Sequence, residues 1–259
     1  MMYLRSQERN AIFFWKLYVT LCLLYFLTVV NCDRNEIQLS SDGYENVLVA
    51  IHERIPEDSI IIDRLQDIFI SASHHLHKAT LNRTYFKAVT ILVPKTWTAK
   101  SDYEPATTER YSIANFVVDE MDPQYGDNPY TRQSRTCGEP GDFVHFTDRW
   151  VKDVEYSQQY WGDQGKVVVH EWAHLRWGVF DEYPDGDDDH FYYAENGQVE
   201  ATRCSAEIIG ESYDIDNGDR CNNDPQSREM PGPGCRFYPD MDSETTASLM
   251  YANYLNSVG

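Results

Sequence analysis

The sequence predicts an α+β domain, and three observations lead there. Hydrophobic residues make up 42% and aromatic residues 14% of the 259 residues, enough for a packed core and too much for a disordered acidic chain. As far as residue 177, β-branched and aromatic runs alternate with segments of helical periodicity. Beyond Gly178 the chain turns acidic and rich in Gly, Asp, Asn and Pro, which is the composition of loops.

Residues 1–32 read as a signal peptide. Arg5, Arg9 and Lys16 precede an apolar run from Leu17 to Val30, about the length of a signal-peptide core and short for a membrane span. Val30, Asn31 and Cys32 form an acceptable cleavage pattern, with Asp33 opening the mature chain; a signal anchor is the rival reading. No later segment has an apolar run long enough to span a bilayer. Residues 33–259 are therefore expected as a secreted domain without a transmembrane span.

Within that domain, residues 45–55 read as a buried strand through Val47, Leu48, Val49, Ala50 and Ile51. Ile60, Ile61, Leu65, Ile68, Phe69 and Ala72 recur at near-helical spacing, predicting a helix over 57–78. Tyr85 to Val93 predicts a second strand, ended by Pro94. Asn115 to Asp119 and Phe143 to Phe146 are short strand candidates around a loop over 121–141. Helices are expected over 149–160 and 166–177, and an ordered segment from Thr245 to Leu255.

Charge narrows the function. The chain carries 42 acidic and 22 basic side chains, a formal net charge of -20. Nucleic-acid binding needs cations to replace phosphate counterions, so this balance argues against it, and equally against an anchor on anionic lipid. Six cysteines suit an oxidising compartment. Cys22 and Cys32 leave with the signal, and Cys137, Cys204, Cys221 and Cys235 remain, with three pairings open. The last three fall in a cysteine-rich, loop-rich segment spanning about 185–240. Disulfides would stabilise it; a zinc site there is disfavoured, because no Cys-x-x-Cys pair occurs. Asn82-Arg83-Thr84 is a glycosylation sequon.

The chemistry concentrates in Val167 to Tyr183. His170 and His174 stand four apart, so on a helix they project from one face. Two imidazoles so placed can hold one zinc ion (Zn2+). Glu171 follows the first histidine, where it can accept a proton from metal-activated water and return it to a leaving amine. A third ligand is needed. Were the helix to continue, Asp181 would lie about 10.5 Å along the axis from His174, too far to share a metal. Gly178 can adopt the left-handed turn that ends a helix and brings the chain back. Asp181 is the expected third ligand; Glu182 is the rival, or a partner that orients a histidine. This resembles the metzincin pattern with one extra residue before the glycine and an aspartate as third ligand. Met250, in Ala247 to Tyr251, is a candidate for that pattern's methionine turn. Asp185, Asp187, Asp188 and Asp189 suggest calcium binding, but lack EF-hand spacing.

The run His170 to Tyr183 closely resembles the N-terminal domain of the calcium-activated chloride channel regulator family. So do Asp42-Gly43-Tyr44-Glu45, Val49-Ala50-Ile51, Pro56-Glu57-Asp58 and Val93-Pro94-Lys95-Thr96-Trp97. Asp127-Asn128-Pro129-Tyr130-Thr131, Cys137-Gly138-Glu139 and Arg203-Cys204-Ser205-Ala206 complete a series in the same order. The resemblance implies a zincin-type metallopeptidase fold with a cysteine-rich insert, Glu171 as catalytic base, and His170, His174 and Asp181 as metal ligands. It further implies a protein or peptide substrate and a calcium-activated chloride channel as a partner. The family's members continue into a von Willebrand type A domain, and no Asp-x-Ser-x-Ser motif occurs here. The expectation is therefore a fragment or a short member that lacks the family's usual self-cleavage substrate region. A non-catalytic secreted module that regulates a channel is the alternative function.

Overall fold

The computed structural model describes residues 35–184, 188–221, 228–255 and 257. The signal-peptide reading of 1–32 lies outside the described residues, as do Asp185 and Asp187 of the calcium reading. The architecture is mixed α and β. A short hairpin, β1 (Gln38–Leu39) with β2 (Tyr44–Glu45), leads into β3 (Val47–Ile51), whose five residues are all buried. Helix α1 (Ser59–Ala79) follows, then β4 (Val89–Leu92), which pairs in parallel with β3. β5 (Phe116–Asp119) lies parallel on the other side of β3. β6 (Tyr130–Thr131) is the antiparallel edge, bonded to β7 (Val144–Thr147), which is itself parallel to β5. The sheet order is β4-β3-β5-β7-β6.

Beyond the sheet come α2 (Asp148–Lys152), α3 (Val154–Trp161) and α4 (Gln164–Trp177). The single helix expected over 149–160 is two. Asp153 sits between them outside helical geometry and its side chain accepts the Tyr156 N–H, so it caps a second helix instead of extending the first. The same device starts the longer helices: Asp58 caps α1 and Asp163 caps α4. The strand expected over 85–93 is shorter, Val89–Leu92, because Tyr85 and Phe86 cross beside Tyr44 before the ladder begins.

Two structured hairpins occupy the stretch expected to be irregular. One pairs β8 (Phe191–Tyr193) with β9 (Val199–Ala201), and the other pairs β10 (Gly210–Asp214) with β11 (Cys235–Pro239). Cys221 and Cys235 form a disulfide, while Cys137 and Cys204 are free thiols. The chain then reaches α5 (Leu249–Ala252), a single turn within the ordered segment expected from 245. Asn82 of the sequon is exposed in the turn after α1.

The main core lies between the sheet and the pair α1 and α4. Alternation along β3 sends Val47, Val49 and Ile51 into it, while Leu48 and Ala50 face a smaller cluster with Ala114 and Val117. Trp172 of α4 is wholly buried, edge-on to Tyr44 at 4.9 Å and to Phe86 at 4.8 Å. Each such ring pair adds about 0.5–1.5 kcal/mol beyond the area it buries. α4 approaches α1 so closely that a Cβ on Gly165 would collide with Ser71. Most of α4 is buried on every side, which fixes its rotation about its own axis and so the direction of its two histidines.

Candidate metal centre

α4 delivers His170 and His174 one turn apart, both pointing toward the chain that returns after the helix. The reversal occurs at Gly178, which takes φ 64° and ψ 26° and donates its N–H to the His174 carbonyl. A side chain there would run into the Glu139 backbone, and Gly138 donates to the Gly178 carbonyl at 2.9 Å. Both the left-handed conformation and the close approach require glycine. Three residues later Asp181 faces back. Its Oδ1 lies 3.1 Å from His170 Nε2 and 3.3 Å from His174 Nε2, and the two Nε2 atoms are 3.2 Å apart.

The outer nitrogens define what the inner ones can do. His170 Nδ1 lies 2.8 Å from the Leu249 carbonyl, and His174 Nδ1 lies 2.6 Å from the Val179 carbonyl. A carbonyl only accepts, so each Nδ1 carries the hydrogen, and in the neutral ring Nε2 presents a lone pair. Two lone pairs and a carboxylate oxygen thus converge on one point. A tetrahedral ion held at 2.0–2.1 Å needs ligand atoms about 3.3–3.4 Å apart, and the observed spacings are close to that. The donor set, two imidazoles and one carboxylate with both imidazoles anchored behind, fits a zinc ion.

Burial disfavours a positive His170, but the Asp181 carboxylate, the charge of Glu171 and the Leu249 carbonyl outweigh it and raise its pKa to about 9. His174 is raised against burial by the same two acids. Burial pushes Asp181 up, yet the two imidazoles hold it well below the usual carboxylate range. All three shifts follow from the Asp181 and Glu171 carboxylates lying against the two imidazoles.

Glu171 is buried beside this triad. Thr131, on β6, donates its hydroxyl within reach of both the Glu171 carbonyl, at 2.9 Å, and the carboxylate Oε2, at 2.7 Å. Glu182 does not join the triad. Its N–H donates to the Met250 carbonyl at 2.9 Å and its carboxylate takes the Cys204 thiol hydrogen. Met250 is buried in α5, directly after the residue that anchors His170. Of the expected site residues, His170, His174 and Asp181 are thus brought together, Glu171 lies alongside, and Glu182 braces the turn. Among the described residues no other group of three His, Cys, Asp or Glu side chains converges in this way. The sequence did not point to Thr131, Val179 or Leu249. The last two act through backbone carbonyls, and Thr131 sits on a strand too short to show a pattern.

Comparison with known proteins follows the same lines. A family model described as calcium-activated chloride channel N terminal matches residues 37–259. Calcium-activated chloride channel regulator 3A-1 of Mus musculus is 39% identical over 246 residues, covering 91% of this chain and 27% of that protein. Regulator 1 of Homo sapiens is 39% identical over 227 residues, covering 86% and 24%. Regulator 4 of Homo sapiens is 37% identical over 246 residues, covering 93% and 26%. The chain thus spans about a quarter of the length of these relatives. No solved structure matches it.

Proposed function

The chain belongs to the calcium-activated chloride channel regulator family, and from that premise we propose that it is a secreted, zinc-dependent metallopeptidase domain of zincin type. The observation that carries this reading is the convergence of two anchored imidazoles and one carboxylate beside a buried glutamate. Residues 33–259 form the domain in this reading, after a signal peptide over 1–32.

His170, His174 and Asp181 would hold the zinc ion. The ion, when bound, supplies Lewis acidity and lowers the pKa of a coordinated water. Glu171 accepts the proton of the attacking water and delivers it to the leaving amine. Thr131 fixes the Glu171 carboxylate for that exchange by donating to Oε2.

The test couples metal content to hydrolysis. Purified chain should contain one zinc per molecule by elemental analysis, and Asp181→Ala should lose at least nine tenths of it. Peptide cleavage should stop with a chelator and fall at least a hundredfold in Glu171→Gln, which keeps its metal. Zinc-free wild-type protein, or cleavage untouched by Glu171→Gln, would overturn the reading. The names of the relatives favour a second reading, a non-catalytic module that regulates a chloride conductance. A change in calcium-activated current that survives Glu171→Gln supports it over proteolysis.

A further inference from the structure

We propose that Asn82 carries an N-linked glycan whose first sugar rings lie in the apolar groove between α1 and β4. Attachment needs entry to the secretory compartment, so the inference rests on the secreted reading above; it does not depend on the metal. α1 ends at Ala79, and after a turn the chain returns beside it, where the Phe86 N–H donates to Ser73 Oγ at 3.1 Å. The two arms enclose a groove of about 640 Å³. The turn joins the arms, so it stands at the groove end lined by His77 and Tyr85, whose rings meet edge-on at 6.2 Å. Asn82 lies in that turn at φ 62°, a left-handed conformation that asparagine tolerates. Its N–H donates to the His77 carbonyl at 2.7 Å, which ties it to the last turn of the helix.

Two observations point to the modification itself. Asn82 is exposed and no described residue hydrogen-bonds to its side chain, so Nδ2 is open to attachment. Thr84, which completes the sequon, is buried, and its hydroxyl has no described partner. A buried hydroxyl that bonds nothing costs free energy and does not hold the fold together. Its use is in the sequon, read on the nascent chain before this turn folds. In the transfer, Asn82 Nδ2 forms a bond to C1 of an N-acetylglucosamine carried on a lipid pyrophosphate. The C1–O bond breaks, the lipid pyrophosphate leaves, and the amide gives up one proton.

The groove suits such a group. Leu65, Phe69 and Phe86 are buried and give it an apolar floor, while Gln66, His74 and Tyr85 bring polar groups to it. No Asp, Glu, Lys or Arg lines it, which matches a neutral oligosaccharide core. A sugar ring has C–H groups on its faces and hydroxyls round its edge, so it can meet both kinds of wall. The groove follows α1 from His77 back to Gln66, about 16.5 Å at the helical rise, so rings entering from the turn have room to run along it. Ile70, on the wall, is 60% exposed, and Leu81, next to Asn82, is 77% exposed. A free ligand or a second copy would have to be recruited to this surface. The glycan is tethered at its end.

The experiment expresses the whole chain in animal cells and collects the medium. Peptide mass mapping should find Asn82 glycosylated, and unmodified in Thr84→Val, which removes the sequon together with a hydroxyl that bonds nothing. Hydroxyl-radical footprinting then reads the groove. Oxidation of Ile70, His74 and Tyr85 should be at least threefold slower in the glycosylated chain than in Thr84→Val or in enzymatically deglycosylated wild type. Tyr238, exposed on β11, should keep its rate. Secreted chain that is unmodified at Asn82 would overturn this proposal alone. Unmodified chain retained in the cytosol would overturn it together with the secreted reading. Equal oxidation of the three groove residues with and without the glycan would overturn the groove assignment. Protection that persists in Thr84→Val, with a dimer mass by light scattering, would give the groove to a second copy instead.

Discussion

Asp163 shows how one carboxylate serves two elements. It caps α4 through the Lys166 N–H and reaches His75 on α1 at 3.2 Å. The His75 hydrogen bond, opposed by burial and aided by backbone N–H groups, holds its pKa at about 2, against an ordinary 3.8. A carboxylate depressed in this way stabilises the fold fully above the unfolded value of 3.8, and that stability is lost as pH falls through about 2. Asp163→Asn keeps the cap and removes the charge. It should cost no more than about 1 kcal/mol near pH 7, since the group is half exposed. Denaturation curves for the two proteins should converge as pH drops from about 4 to about 2; a constant gap would show that charge is not the cause. The three converging side chains were legible at this scale because they are local. The four-residue spacing of His170 and His174 and the glycine that ends their helix are all within twelve positions of Asp181. Their supports were not. A carbonyl at Val179 or Leu249 looks the same in sequence as any other.

At the scale of elements, the turn at Gly178 decides whether three side chains become one site. Gly178→Ala would both force an alanine into left-handed geometry and press its methyl group against Glu139. The left-handed conformation alone costs roughly 1–2 kcal/mol, and the collision adds to it. Zinc content should fall at least tenfold while the far-ultraviolet circular dichroism stays near wild type; full zinc occupancy would mean that the loop adjusts freely. The hairpins after residue 190 teach a different lesson. Composition there reads as loop, yet Asn196-Gly197 stands between Phe191–Tyr193 and Val199–Ala201 with Gly197 at φ 77°. Asn-Gly between two β-prone runs is a strong hairpin signal. It was present in the sequence and outweighed by the surrounding polar residues. β6 had no such signal, because two residues cannot display alternation, and it pairs only because β7 offers an open side.

Across the whole molecule, the α+β class was legible because β3, α1 and β5 carry clear periodicities, while the joining of distant segments was not. His170 depends on Leu249, which is 79 positions away, and Lys166 reaches the Leu255 carbonyl at 2.7 Å. Leu249, Tyr251, Ala252 and Leu255 also fill the core beneath α4. A chain ending at residue 247 should therefore bind zinc at least tenfold more weakly and melt at lower temperature, although His170, His174 and Asp181 are all present. Calorimetric titration checks this, and unchanged affinity would show that the Leu249 anchor is dispensable. The long reach of that anchor has a consequence for biosynthesis. On a ribosome the histidine pair emerges early, but its first ring has nothing to hold it upright until Leu249 has been translated and threaded back. The ring orientation that this anchor sets is in this way deferred until the segment around residue 249 has joined α4.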